Sequence, residues 1–169
     1  KTSSYLEMWL PKGFEPDGWK VSVTPPAGAA LDAPAVIDVT ADATQLGGDP
    51  RRFTELEVAG ANIGQLSVDK HRGSRWRMLV ALVPTVPITP ERRRAAVGLW
   101  TITVYTGGNA LPDGQALNIW VQRDDDPTQL GTGGQQSYLV DLNPPPPARG
   151  VFYDPDAPLG PVRGYGCLN

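Results

Sequence analysis

One cysteine, Cys167, and one histidine, His71, are all that this 169-residue chain contains of either residue. A lone cysteine makes no intrachain disulfide and carries no information on redox compartment. With a single histidine to accompany it, the common four-ligand zinc site of nitrogen and sulfur is excluded. No apolar run approaches the roughly 18 residues that a membrane-spanning helix needs, and no apolar pattern of helical period lasts beyond about two turns. Charge is close to balance, at −3 with a pI near 5.1. That gives no general pull toward nucleic acid or an anionic membrane, and neither is expected as a partner. Catalytic patterns are missing too. His71 lies between Lys70 and Arg72 with no nucleophile and carboxylate arranged around it as a triad requires. Cys167 has no basic neighbour nearer than Arg163 to favour a thiolate.

Turn-forming residues are abundant instead: 19 Gly and 18 Pro, well above the usual share, which favours many short elements over long helices. Alternation at a period of two picks out the strands. In residues 5–10, Leu6, Met8 and Leu10 alternate with Tyr5, Glu7 and Trp9, until Pro11, Lys12 and Gly13 end the run. In residues 19–24, Trp19, Val21 and Val23 form one face, and residues 36–40 offer a shorter third strand. Residues 51–69 hold apolar material for one or two irregular strands, broken at Gly60 and Gly64 and expected to carry a bulge. Residues 75–83 are apolar on both faces in their second half, which predicts a central strand covered on both sides. One helical turn is expected after Pro90, at the first helical position.

Residues 98–126 organise the rest. Trp100, Ile102 and Val104 share one face, Leu117, Ile119 and Val121 another, and a Gly/Asn/Pro-containing loop joins the two runs, so they are expected to lie side by side as a strand pair. A short edge strand over residues 137–142 follows, then the Pro144 to Pro147 run and an irregular tail. The expected fold is an all-β, antiparallel, jelly-roll-like β-sandwich of about eight strands. Its bounds are residues 1–143, with 144–169 a Pro/Gly-rich tail or a connection to a further domain. A strand-like run starting at Ser3 or Ser4 reads as a chain entered in mid-flow, a segment of something longer.

Parity places Trp19, Trp76 and Trp100 in the core, and Trp9 and Trp120 on the opposite face, exposed or covered by a neighbour. Trp9 and Trp120, with Gln122 and Arg123, are therefore the candidate binding residues. Asp124, Asp125 and Asp126, leaving a strand end with hard oxygen ligands, are a candidate Ca²⁺ site, which Arg123 beside them opposes. Alternatively, the three carboxylates cap the turn, pair with Arg123 or the Arg92 to Arg94 run, and face solvent. No other cofactor is expected.

The runs Gly-Leu-Trp-Thr-Ile-Thr-Val at 98–104, Ile-Trp-Val-Gln-Arg-Asp-Asp at 119–125, Gln-Ser-Tyr at 136–138 and Gly-Cys-Leu-Asn at 166–169 resemble the sandwich segment within or beside the catalytic domain of some bacterial subtilisin-like serine peptidases. In such peptidases a comparable Gly-X-Leu-Asn stretch leads back into the catalytic core ahead of the nucleophilic serine. This chain has neither the subtilase aspartate motif nor a His-Gly-Thr or Gly-Thr-Ser segment, so no catalytic residue carries over. The resemblance implies a non-catalytic accessory domain of a serine endopeptidase, which stabilises or gates a catalytic domain in the same or a cleaved chain. It implies a bacterial protein and leaves open whether it is secreted or cytoplasmic. Alternatives are a carbohydrate-binding module, for which exposed tryptophans on one surface are needed, and a structural jelly-roll interaction domain.

Overall fold

The computed structural model describes residues 3–40, 44–46, 49–71, 74–85 and 93–121, all within one compact unit, Lys1–Ser137. They form strands β1 (Ser4–Trp9), β2 (Lys20–Thr24), β3 (Ala35–Asp38), β4 (Thr44–Leu46), β5 (Asp49–Val58), β6 (Ala61–His71), β7 (Arg75–Leu82), β8 (Thr101–Tyr105) and β9 (Asn118–Val121). No helix occurs among these residues. Every pairing is antiparallel, in a six-stranded sheet ordered β4-β5-β6-β7-β1-β9 and a three-stranded sheet ordered β3-β2-β8. The inner faces meet in one core. Met8, Leu66, Val68, Met78 and Val80 come from the larger sheet, and Val21, Val23 and Ile37 from the smaller, all buried. Burial of each such side chain is worth roughly 1.5–3 kcal/mol, so alternation in sequence translates directly into which face points inward.

The expected strand pair of residues 98–126 is not one. β8 pairs with β2 in the small sheet and β9 with β1 in the large one. Ile102 and Ile119 both still pack against the core, from opposite sheets. The loop over residues 106–117, too long for a tight turn, crosses from layer to layer, spanning the ~10 Å between packed sheets. Residues 10–19 make the same crossing between β1 and β2. The two chain segments therefore form one antiparallel ribbon, bent at the layer boundary and paired on both sides of it, with Leu6 opposite Val121 before the bend and Lys20 opposite Tyr105 after it. These outermost pairs have the jelly-roll arrangement; β4 to β7 add a simple meander beside β1.

Side chains close the bend. Asn109 donates its amide nitrogen to the carbonyls of Glu15 (3.0 Å) and Asp17 (3.3 Å), while its own carbonyl accepts from the indole of Trp19 at 2.7 Å. Gly107 lies so near Gly18 that a Cβ there would stand 2.5 Å from the Gly18 carbonyl oxygen, and its φ of +60° is left-handed. Only glycine meets both demands at once.

The bulge expected between β5 and β6 is present, as a register shift between Leu56 and Glu57. The hairpin turns on Ala59 and Gly60, both at positive φ, 50° and 71°, which matches the primed turn that suits strand twist. Asp32 holds the turn from outside: its two carboxylate oxygens accept from Ala59 N (2.8 Å) and Gly60 N (2.7 Å), and its own amide donates to Glu57 O at 2.8 Å. Of the helical turn expected after Pro90, residues 90–92 lie outside the described residues and Arg93 and Arg94 are irregular; the edge strand over 137–142 and the tail over 144–169 lie outside the described residues.

Two substitutions test this backbone reading by thermal or urea unfolding. Gly107→Ala should lose roughly 2–4 kcal/mol, combining a left-handed penalty with the clash on Gly18. Ala59→Gly should gain about 0.5–1 kcal/mol, because it removes a left-handed penalty already present.

Candidate functional site

Alternation assigns the second face of the large sheet as firmly as the first. Pointing away from the core are Tyr5, Glu7 and Trp9 on β1, Arg75, Arg77 and Leu79 on β7, Ser67, Asp69 and His71 on β6, Phe53 on β5, and Trp120 on β9, as the cross-strand register requires. One row runs Trp120, Glu7, Leu79, Ser67, Phe53 across five strands. At the usual spacing that is about 19 Å of flat sheet.

Trp9 is the centre of this face. Its indole nitrogen donates to Glu7 at 2.9 Å, the guanidinium groups of Arg75 and Arg77 stand 5.6 and 5.4 Å from its ring centroid, and His71 meets its edge at 5.7 Å. Arg77 bridges the acids on its two sides, through Nε to Asp69 (3.0 Å) and Nη1 to Glu7 (3.3 Å). Asp69, at 8% relative exposure, is the buried charged residue of the described chain, and such a carboxylate is tolerable only with a cation on it. The result is a cross-strand lattice in which three strands fix one another's side chains. Around it, Tyr5, Phe53 and Trp120 are exposed, at 37%, 65% and 50%.

A second polar group closes the neighbouring end of the sandwich. Glu15 pairs with the Lys70 ammonium and accepts from the Trp76 indole at 2.9 Å, and Lys70 lies 5.4 Å above the Trp76 ring. The hydrogen bond from Lys70, aided by that from Trp76 and opposed by burial, holds the Glu15 carboxyl below the ordinary value of 4.5. On the small sheet's outer face, a shallow groove of about 580 Å³ runs by Leu31, Pro34, Val36 and Tyr105. Its one acid, Asp32, is the residue already bound to the β5–β6 turn.

Of the candidate binding residues, Trp9 and Trp120 share the outer face on adjacent strands, one register step apart, Trp120 opposite Glu7 and Trp9 opposite Asn118. Trp9 is half-buried and engaged, Trp120 half-exposed. Trp19 and Trp76 are buried, and Trp100 is half-buried with its indole on Ala96 O at 3.0 Å. Gln122, Arg123 and the candidate calcium ligands Asp124, Asp125 and Asp126 lie outside the described residues. Among the described residues no three potential ligands converge as a metal site needs. Glu7, Asp69, Arg75 and Arg77 were not among the expected site residues. Their signal was the alternation of Arg75 and Arg77 with Trp76 and Met78, which puts two cations on the face of Trp9. No family model matches the chain, and none of the curated proteins or solved structures does so at a significant level.

Two measurements bear on these networks. Arg77→Met leaves Asp69 and Glu7 without their cation and should cost about 2–3 kcal/mol in urea unfolding. Because the Glu15 pKa is lowered on folding, its contribution is full above the unfolded value and declines as pH falls below about 4.5 through the folded value. Melting temperatures at pH 5 and pH 3 should therefore differ less in Glu15→Gln than in the parent.

Proposed function

We propose that this chain is a non-catalytic accessory β-sandwich domain of a subtilisin-like serine peptidase. It docks the outer face of its large sheet on the catalytic domain, which it stabilises or gates. The observation that carries the reading is that face itself, a charged and aromatic lattice locked by Trp9, Arg77, Glu7 and Asp69, with Tyr5, Phe53 and Trp120 exposed around it. Preorganised aromatic and arginine side chains are what protein interfaces use as anchors. Two of the four runs that carry the family resemblance, 98–104 and 119–125, contribute most of β8 and β9, the returning half of the bent ribbon.

The arrangement favours a protein partner over a saccharide. Two guanidinium groups already engage the Trp9 ring, and Phe53 and Trp120 stand on strands separated by three others. The Trp9 ring is thereby withheld from stacking on a sugar, and a protein surface can meet Phe53 and Trp120 together. The test is calorimetric titration of the full chain into the separately expressed catalytic domain encoded with it. Binding at micromolar affinity or better is expected, with a rise in the catalytic domain's melting temperature. Absence of both would remove the reading, and a polysaccharide titration that shifted tryptophan fluorescence would replace it with the carbohydrate-binding alternative.

A further inference from the structure

We infer, resting on the docking function just proposed, that the partner surface presents a carboxylate to Arg75, and that this pair anchors the interface. Arg77 is paired with two acids, whereas Arg75 meets none among the described residues: its Nε donates to the Leu10 carbonyl at 3.1 Å and its guanidinium lies over Trp9. An arginine has five N–H donors. Using Nε on a backbone carbonyl leaves the four on the terminal nitrogens.

The place of the guanidinium over the Trp9 ring and its tether at Nε restrict the side chain, so less side-chain entropy is lost when a planar, two-oxygen acceptor arrives. The surroundings select the sign of that acceptor. Arg75 is the cross-strand partner of exposed His71, and Lys70, next in the chain, is neutralised by Glu15 on the opposite side of the strand. No described carboxylate faces Arg75 from β1, β6 or β7, since Glu7 and Asp69 are both held by Arg77. A partner Asp or Glu completes an ion pair at the edge of an aromatic patch, where water is readily excluded. A partner cation would meet Arg75 and Arg77 together.

The experiment uses the full chain and the catalytic domain encoded with it. Affinity is measured at low and high sodium chloride for the parent, Arg75→Gln, Arg75→Lys and the control Lys20→Gln, a change on the far sheet. The expected result is at least a tenfold loss for Arg75→Gln, a smaller loss for Arg75→Lys, a flatter salt dependence in Arg75→Gln, and no change for Lys20→Gln. Phenylglyoxal labelling of the parent, read by mass spectrometry, should modify Arg75 in the free chain and spare it in the complex; an Arg75 still reactive in the complex overturns the anchor even if a variant fails to fold. If the parent does not associate at all, the docking function fails and this inference with it. If the parent associates while Arg75 stays reactive and Arg75→Gln binds as the parent does, the function stands and the arginine anchor is overturned.

Discussion

The molecule depends on one bent ribbon. Two segments nearly a hundred residues apart in sequence pair with each other twice, β1 with β9 and β2 with β8, once in each sheet. Each layer therefore contains one strand from each segment, and neither sheet is complete without the other's chain. The bend has to be made by residues that satisfy backbone groups with no strand to pair them. Asn109 does this for the carbonyls of Glu15 and Asp17 and supplies the acceptor for buried Trp19. The close approach at Gly18 and Gly107 lets the two crossings lie against each other.

Faces were legible in the sequence and neighbours were not. Alternation alone separates Met8 and Leu10 from Trp9, and Trp76 and Met78 from Arg75 and Arg77, because hydrophobic burial acts on each residue independently of which strand lies beside it. The interior position of β7 in its sheet was readable too, whereas the cover expected on both faces of its second half is not there: Val80 is buried, but Leu79 and Ala81 on the outer face stay half-buried. Pairing is a different question. Leu117, Ile119 and Val121 bury equally well beside β8 or beside β1, and what decides between them is the length of the loop over residues 106–117 and the hydrogen bonds of Asn109 within it. A single asparagine in a Gly-rich loop looks in sequence like any other turn residue.

The outer face shows how electrostatics and packing divide the work on a solvent-facing sheet. Arg77 makes a buried carboxylate tolerable, and the geometry that does so also orients Trp9 through Glu7. Removing any member disturbs two strands at once. Such lattices cost conformational freedom to build, and having been built they leave a surface that needs little reordering to be recognised.

The long sequence separation of the ribbon's halves also sets a schedule for synthesis. The hairpins of β5, β6 and β7 close with short loops and are complete as soon as the ribosome has released them. β1 and β2 have to wait. Their outer edges are capped only when β8 and β9 emerge, and topologies dominated by such distant pairings fold slowly, with strand edges open in the interval. Until then β1, paired on one side with β7, and β2, paired on one side with β3, each keep their other edge open, the stage at which a chaperone has most to protect.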